Sequence, residues 1–257
     1  MPTAESAGLA ALRPRSIHDA QVLASGYTRL QHVMNLLGLS AFCVVAAWVG
    51  AHVLSFRPGG LELFIGVLAA WVITDFACGV IHWAGDTWGR TDMPVLGRMF
   101  VRTFREHHVD PRAITRHGIV QLLGEQALVA VPLMPLLWLY EPESAWGVTL
   151  LVCMYAVLMS AMAANVFHRW AHMRTPPLVA RMMQRAGLII SFRQHAKHHQ
   201  PPYVQNYCIA IGWLNPLLEG IRFWRGLEWL IWKLTGAVPR EDDLGREAAL
   251  ALLRARD

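Results

Sequence analysis

Residues 61–83 read LELFIGVLAAWVITDFACGVIHW, and the only charges in this run are Glu62 and Asp75. A helix of about 20 apolar residues is long enough to cross the roughly 30 Å of hydrocarbon in a bilayer. Three further stretches share the character of this one: residues 33–54, 119–140 and 146–167. The turn SFRPGG (55–60) joins the first span to the second, and EPESA (141–145) joins the third to the fourth. Connections this tight make two helical hairpins. Pro132 and Pro135 predict a kink in the third span, tolerated where neighbouring helices cover the freed carbonyls.

Composition points the same way. Of 257 residues, 54% are hydrophobic and 16% charged, whereas an ordinary soluble domain carries about 25% charge. Such a chain cannot cover a water-exposed surface with polar groups, so lipid must be its solvent for part of its length. The net charge of +5 then reads as cationic loops beside anionic lipid heads, and no nucleic-acid partner is expected. Cys43, Cys78, Cys153 and Cys208 show no paired spacing and three fall in apolar runs. They read as small buried hydrophobes rather than disulfides or thiolate ligands. In the first thirty residues Arg13, Arg15, His18 and Asp19 interrupt any apolar core, so no cleavable signal peptide is expected.

Charge also sets an orientation. Of the 23 lysines and arginines, three precede the first span, six lie between Ala84 and Gly118, and thirteen follow Phe167. The hairpin turns hold one, Arg57. The positive-inside rule therefore puts both termini and the 84–118 loop in the cytoplasm. Beyond the fourth span, residues 213–235 carry Leu217, Leu218, Ile221, Trp224, Leu227, Ile231 and Leu234 near helical spacing, with charges interspersed. This predicts an amphipathic helix, lying in the interface or packed on the cytoplasmic domain. The expected organisation is an N-terminal cytoplasmic segment (1–32), one membrane domain (33–243) and a polar, peripheral C-terminal tail (244–257).

Nine of the twelve histidines fall on the cytoplasmic face of that map. His82 ends the second span, and His107, His108 and His117 lie in the loop after it. His168 ends the fourth, and His172, His195, His198 and His199 follow. His52 lies at the opposite face and is excluded, while His18 and His32 have no partner spacing. The pair His168 and His172 shares one helix face, and His195-x-x-His198-His199 offers spacings of three and four. Glu106-His107-His108 adds an adjacent pair. Single histidines at helix ends are usually capping residues, but three such motifs on one membrane face predict a metal centre.

Imidazole suits iron, zinc and copper alike. A catalytic zinc site takes three protein ligands and a structural one four, so eight or nine histidines overfill one ion and match two. With no thiolate and with lipid adjacent, two irons activating dioxygen is the favoured reading, and zinc is the chemical alternative. A transporter would string its ligands along a path through the spans instead. Around the ligands, Asp75 lies two turns below His82 and Asp86 one turn above it. Asp75 is expected either to orient a ligand or water or to bond a neighbouring helix. Asp86 is expected to hold the His82 ring, and Asn165 and Glu125 carry the same ambiguity as Asp75. Arg105 and Arg116 flank the ligand loop and are candidates for a lipid phosphate, against an ordinary solvated role.

The motifs resemble those of the plasmanylethanolamine desaturase family. His82-Trp83-Ala84-Gly85-Asp86-Thr87-Trp88-Gly89 is similar to its HWxxDTWG signature, and FREHHVDP (104–111) running into ITRH (114–117) is similar to its FREHHxDP…ITRH segment. HRWAH (168–172) and HAKHH (195–199) match its two histidine boxes, and the resemblance covers roughly residues 61 to 243. The spans, turns and histidine-bearing loops together predict an all-α membrane protein: four transmembrane helices as two hairpins, a cytoplasmic histidine-rich helical cap and the interfacial helix. The resemblance implies a di-iron, dioxygen-dependent desaturase, with the nine histidines as iron ligands, that converts the 1-O-alkyl chain of an ether phospholipid to a vinyl ether. A fatty-acyl desaturase or lipid hydroxylase with the same boxes is the alternative. No flavin or haem motif is present, so electrons are expected from a separate b-type cytochrome or ferredoxin-like protein. The expected location is a bacterial inner membrane.

Overall fold

The computed structural model describes residues 27–255. The expected N-terminal segment lies, up to residue 26, outside the described residues, as do His18 and the stretch read as lacking a signal peptide.

Thr28 caps α1 (Arg29–Ser55) in both directions. Its hydroxyl accepts from the Gln31 N–H, and the Gln31 side chain accepts from the Thr28 N–H, which satisfies two otherwise orphaned donors. The chain turns at once into α2 (Gly60–Thr87). The third span is α5 (Ile119–Leu133), continued by a 3-10 segment, Met134–Leu139. Pro135 has no N–H to give the carbonyl one turn back, so the helix tightens there. The fourth span is α6 (Ala145–His172), capped by Ser144.

Both α2 and α6 contain 28 residues. At ~1.5 Å per residue each is about 42 Å long, well beyond the roughly 30 Å of hydrocarbon. Their apolar sequence begins at their first residues, so the surplus turns lie at the C-terminal ends. Those turns extend past the expected limits at 83 and 167, and they carry His82, Asp86, His168 and His172. Helix length thus sets the height of the site.

The two hairpins are hairpins of connection; the tight packing runs between them, α2 against α6 and α1 against α5. Small residues allow this. A Cβ on Gly66 would stand 3.0 Å from the Thr149 carbonyl oxygen, and one on Gly124 would stand 2.2 Å from Asn35 Cβ. Close backbone approach of this kind substitutes for the hydrophobic drive that lipid cannot supply. Phe42, Val49, Ala127, Met134 and Leu151 fill the core at these contacts. Two polar ties add to it: Tyr155 Oη donates to the Ala46 carbonyl at 3.1 Å, and Asn165 Nδ2 donates to the Leu122 carbonyl at 2.9 Å. The outward faces stay apolar, with Leu37, Val44, Leu54, Phe64 and Trp146 exposed. Among the described residues, four helices long and apolar enough to cross a bilayer make this a multi-pass membrane protein. At the end away from the site, His52 stacks on Trp138 at 4.1 Å. All four cysteines are free.

Short helices build the cap over the site: α3 (Arg102–Val109), α4 (Ala113–Arg116), α7 (Leu178–Arg185), α8 (Phe192–His198), α9 (Asn215–Gly220), α10 (Phe223–Thr235), α11 (Glu241–Leu244) and α12 (Arg246–Arg254). The helix expected over 213–235 is broken at Arg222, which takes φ +52°, into α9 and α10. One face packs inward: Leu218 and Trp224 join Trp83, Tyr207 and Cys208 in a second core. The other leaves Leu217, Ile221, Leu230 and Leu234 exposed. The tail, expected to be peripheral, is docked. Ala249 and Leu253 are buried, as are Val238 and Arg240 just before the tail, and the Arg225 guanidinium donates to the Leu252 and Ala255 carbonyls.

Gly124→Leu is expected to push α1 off α5 and to cost about 1–3 kcal/mol. Thermal melts in detergent should register this as a lower midpoint. Gly60→Ala, where nothing lies within 4 Å, should leave the midpoint unchanged.

Candidate metal centre

Four elements bring the site together. His82 and Asp86 sit one turn apart at the end of α2, and His168 and His172 one turn apart at the end of α6. Adjacent residues on a helix diverge by about 100°, so on α3 His107 and His108 point to different neighbours. On α8 the pair His195 and His199 faces one way and His198 the other. Two groups result: His107, His168, His172, His195 and His199 in one; His82, Asp86, His108 and His198 in the other.

In the first group every close contact is Nε2 to Nε2. His168 lies 3.0 Å from His107 and 2.8 Å from His195; His172 lies 2.7 Å from His195 and 3.1 Å from His107; His199 lies 2.9 Å from His107 and 3.0 Å from His195. Ligands about 2.1 Å from a shared ion are separated from one another by about 3 Å. The second group is a similar size: Asp86 Oδ2 lies 3.2 Å from His82 Nε2, 3.4 Å from His108 Nε2 and 3.3 Å from His198 Nε2. The groups adjoin, with the His195 and His198 rings 5.6 Å apart.

The donor chemistry of the second group calls for a cation. His82 Nδ1 lies 3.2 Å from the Tyr207 carbonyl oxygen and His198 Nδ1 lies 2.9 Å from that of Gln205. A carbonyl only accepts, so each Nδ1 carries the proton and each Nε2 presents a bare lone pair. Those lone pairs face the Asp86 carboxylate. His82 Nε2 and both Asp86 oxygens are buried without a hydrogen-bond partner, an arrangement that is costly unless a positive charge sits among them. In the first group burial, reinforced by the neighbouring imidazoles, holds His107 and His195 well below the usual imidazole range. Burial lowers His108 as well, against the pull of Asp86. These three imidazoles are therefore held in the neutral form that binds metal.

The other expected site residues separate. His117 stands outside both groups. The Asp110–Arg112 turn, tied by Arg112 N–H donating to Asp110 Oδ1, carries it to the far side of Glu106, where its Nε2 lies 3.8 Å from Glu106 Oε1. There it lines a cavity of about 350 Å³ with Tyr27, Glu106, Arg116 and Gln121. Asp75 contacts neither group. Fully buried, it accepts the backbone N–H groups of Ile211, Gly212 and Leu214 at 2.8–3.2 Å, pinning a non-helical loop against α2. Asn165 ties α6 to α5, as described. Arg105 is buried: Nη1 donates to the Gly85 and Asp86 carbonyls, and Nε and Nη2 donate to Asp242. It braces the turn bearing Asp86 and is not open to a lipid phosphate. Arg116 is paired with Asp110.

Sequence reasoning assigned Asp86 a supporting part, yet its carboxylate is among the candidate ligand atoms. Its spacing from His82 equals that of His172 from His168, and that was the available signal. A network without a sequence signature was also missed. Arg240 Nη2 donates to Tyr207 Oη at 2.6 Å, Glu228 Oε1 at 2.8 Å and Thr87 Oγ1 at 3.2 Å. The Arg240 N–H donates to the Thr87 carbonyl at 2.8 Å. The C-terminal arm thereby clamps both the end of α2 and the residue whose carbonyl fixes His82.

A family model described as a lipid desaturase domain matches residues 71–242. Over 239 residues the chain is 40% identical to the plasmanylethanolamine desaturase of Myxococcus xanthus, covering 92% of this chain and 85% of that one. It is 38% identical to plasmanylethanolamine desaturase 1 of Mus musculus, covering 71% and 69%. It is 34% identical to the chloroplastic fatty acid desaturase 4 of Arabidopsis thaliana, covering 70% of this chain and 55% of that one. No solved structure matches the chain.

Two outcomes are expected. Asp86→Ala should lower the metal bound per chain, while His117→Ala leaves it unchanged, by elemental analysis of purified protein. Acid should also destabilise the metal-free protein. His107 and His195 stay neutral when folded, whereas unfolded imidazoles protonate near 6.5. The unfolded state therefore binds more protons below that value, and stability is lost as pH falls. Melting midpoints of metal-free protein should drop between about pH 7 and about pH 5; a flat profile would contradict the burial of neutral imidazoles.

Proposed function

The chain belongs to the lipid desaturase family, and from that premise we propose that it is a di-iron, dioxygen-dependent enzyme that converts the 1-O-alkyl chain of an ether phospholipid to a 1-alkenyl chain. The observation that carries this reading is the pair of adjoining histidine groups at the ends of two overlong membrane helices. An ether oxygen and its first chain carbons lie just beneath the headgroup, at the depth of a site built on the last turns of α2 and α6. A double bond introduced mid-chain would need a path far down into the bundle.

His107, His168, His172, His195 and His199 would hold one iron; His82, Asp86, His108 and His198 would hold the other. So held, the irons supply the oxidising power of dioxygen for removing two hydrogens from the carbons next to the ether oxygen. The balance is one dioxygen, two protons and two electrons from the lipid chain, and two electrons and two protons from outside, giving the vinyl ether and two waters. The electrons come from a separate carrier, a b-type cytochrome or a ferredoxin-like protein. The protein's own part is to position and exclude. The Tyr207 and Gln205 carbonyls fix the His82 and His198 rings, and Asp86 adds one negative charge. Burial of His82, His195 and His198 to 1% exposure or less keeps bulk water from the centre. The charge bias supports a site and termini on the cytoplasmic side, and the membrane is read as a bacterial inner membrane.

The 34% identity to a fatty acid desaturase keeps acyl desaturation as a second reading, and one experiment separates them. The chain is expressed in a host lacking plasmalogens, fed alkylglycerol, and its lipids are scored for acid-labile vinyl ethers. Vinyl ether is expected from the native chain and is expected to fall at least a hundredfold in His172→Ala and His198→Ala. Mid-chain unsaturation without vinyl ether would favour the acyl reading.

A further inference from the structure

A cavity of about 380 Å³ opens on the first histidine group, where His172, His195 and His199 form part of its wall. Pro111, Ala171, Phe192 and Ala196 give it an apolar side, and Phe192 is largely exposed. At its rim stand Asp110 and Arg112. The two arginines that sequence suggested for a lipid phosphate are engaged elsewhere: Arg105 is buried among carbonyls and Asp242, and Arg116 pairs with Asp110 and lines the other cavity. The Arg112 guanidinium is exposed and has no hydrogen-bond or ion-pair partner among the described residues. The Asp110 carboxylate, which would repel an anion, is neutralised by Arg116 and by the Arg112 N–H.

We propose that Arg112 binds the phosphate of the lipid substrate at the mouth of this cavity and so sets its first chain carbons against the His172, His195 and His199 wall. In a glycerophospholipid only a few bonds separate the phosphate from the first carbon of the 1-chain. A phosphate held at the rim therefore leaves that carbon within the cavity, with the rest of the chain running out along the apolar side. A planar guanidinium matches a phosphate in two parallel hydrogen bonds. This assignment rests on the desaturase reading for the identity of the chain, but its test does not need turnover.

Native mass spectrometry of the metal-loaded protein in detergent measures the binding of three probes: an alkyl-acyl phosphoethanolamine, the matching phosphate-free alkyl-acyl glycerol, and inorganic phosphate. The native chain should prefer the phospholipid over its phosphate-free analogue by about tenfold or more. Arg112→Gln should erase that preference, Arg112→Lys should keep part of it, and metal content should be equal in all three. A preference undiminished in Arg112→Gln would overturn the assignment. So would inorganic phosphate displacing the phospholipid at comparable concentration, which would mark a simple anion site. Turnover is scored separately: a native chain that binds the phospholipid through Arg112 yet forms no vinyl ether would refute the ether-lipid desaturase reading and leave this one intact.

Discussion

Lone pairs that face one another inside a protein repel, and here nine side chains gather their candidate ligand atoms round two points. The Asp86 carboxylate meets the bare Nε2 atoms of His82 and His198, whose other nitrogens are committed to the carbonyls of Tyr207 and Gln205. Among the described residues no hydrogen bond to His82 Nε2 or to either Asp86 oxygen relieves this contact. A cation does, and much of the architecture serves to hold the electron-rich atoms in place until it binds. The overlong α2 and α6 raise four of the nine above the hydrocarbon. The adjacency of His107 and His108, and of His198 and His199, distributes the others between the two groups.

Rigidity comes from buried polar contacts further out. Asp75, deep in α2, gathers three backbone N–H groups of the loop that follows Tyr207 and Cys208. Backbone at that depth has no water to bond, so a carboxylate must satisfy it. From the other side Arg240 links Thr87, Tyr207 and Glu228, and Glu228 also accepts from Trp83 and Arg225. The two devices converge on Tyr207, whose carbonyl fixes the His82 ring. Ligand geometry on α2 therefore depends on residues more than 120 positions away in the chain.

The spans were legible because lipid imposes a length and a composition, and the histidine motifs because coordination imposes a spacing. The sorting of nine histidines into two groups was not legible, since it depends on how α3 and α8 rotate against α2 and α6. The exclusion of His117 was legible only in part: it stands outside the paired spacings, but that the turn at Asp110 carries it past Glu106 is a matter of tertiary structure. Arg105 looked like a surface cation because burial of an arginine requires partners, and its partners, Gly85, Asp86 and Asp242, lie far off in sequence. The tail read as peripheral for the same reason. Arg240 has no meaning until Glu228 and Tyr207 stand beside it.

A single-turnover measurement tests the central claim most directly. Protein loaded with iron, fully reduced, and embedded with an alkyl ether phospholipid in nanodiscs is exposed to dioxygen, and vinyl ether is quantified against bound iron. The account predicts about one vinyl ether for every two irons, and none from zinc-loaded protein. Product that fails to scale with iron, or that forms equally with zinc, would contradict it.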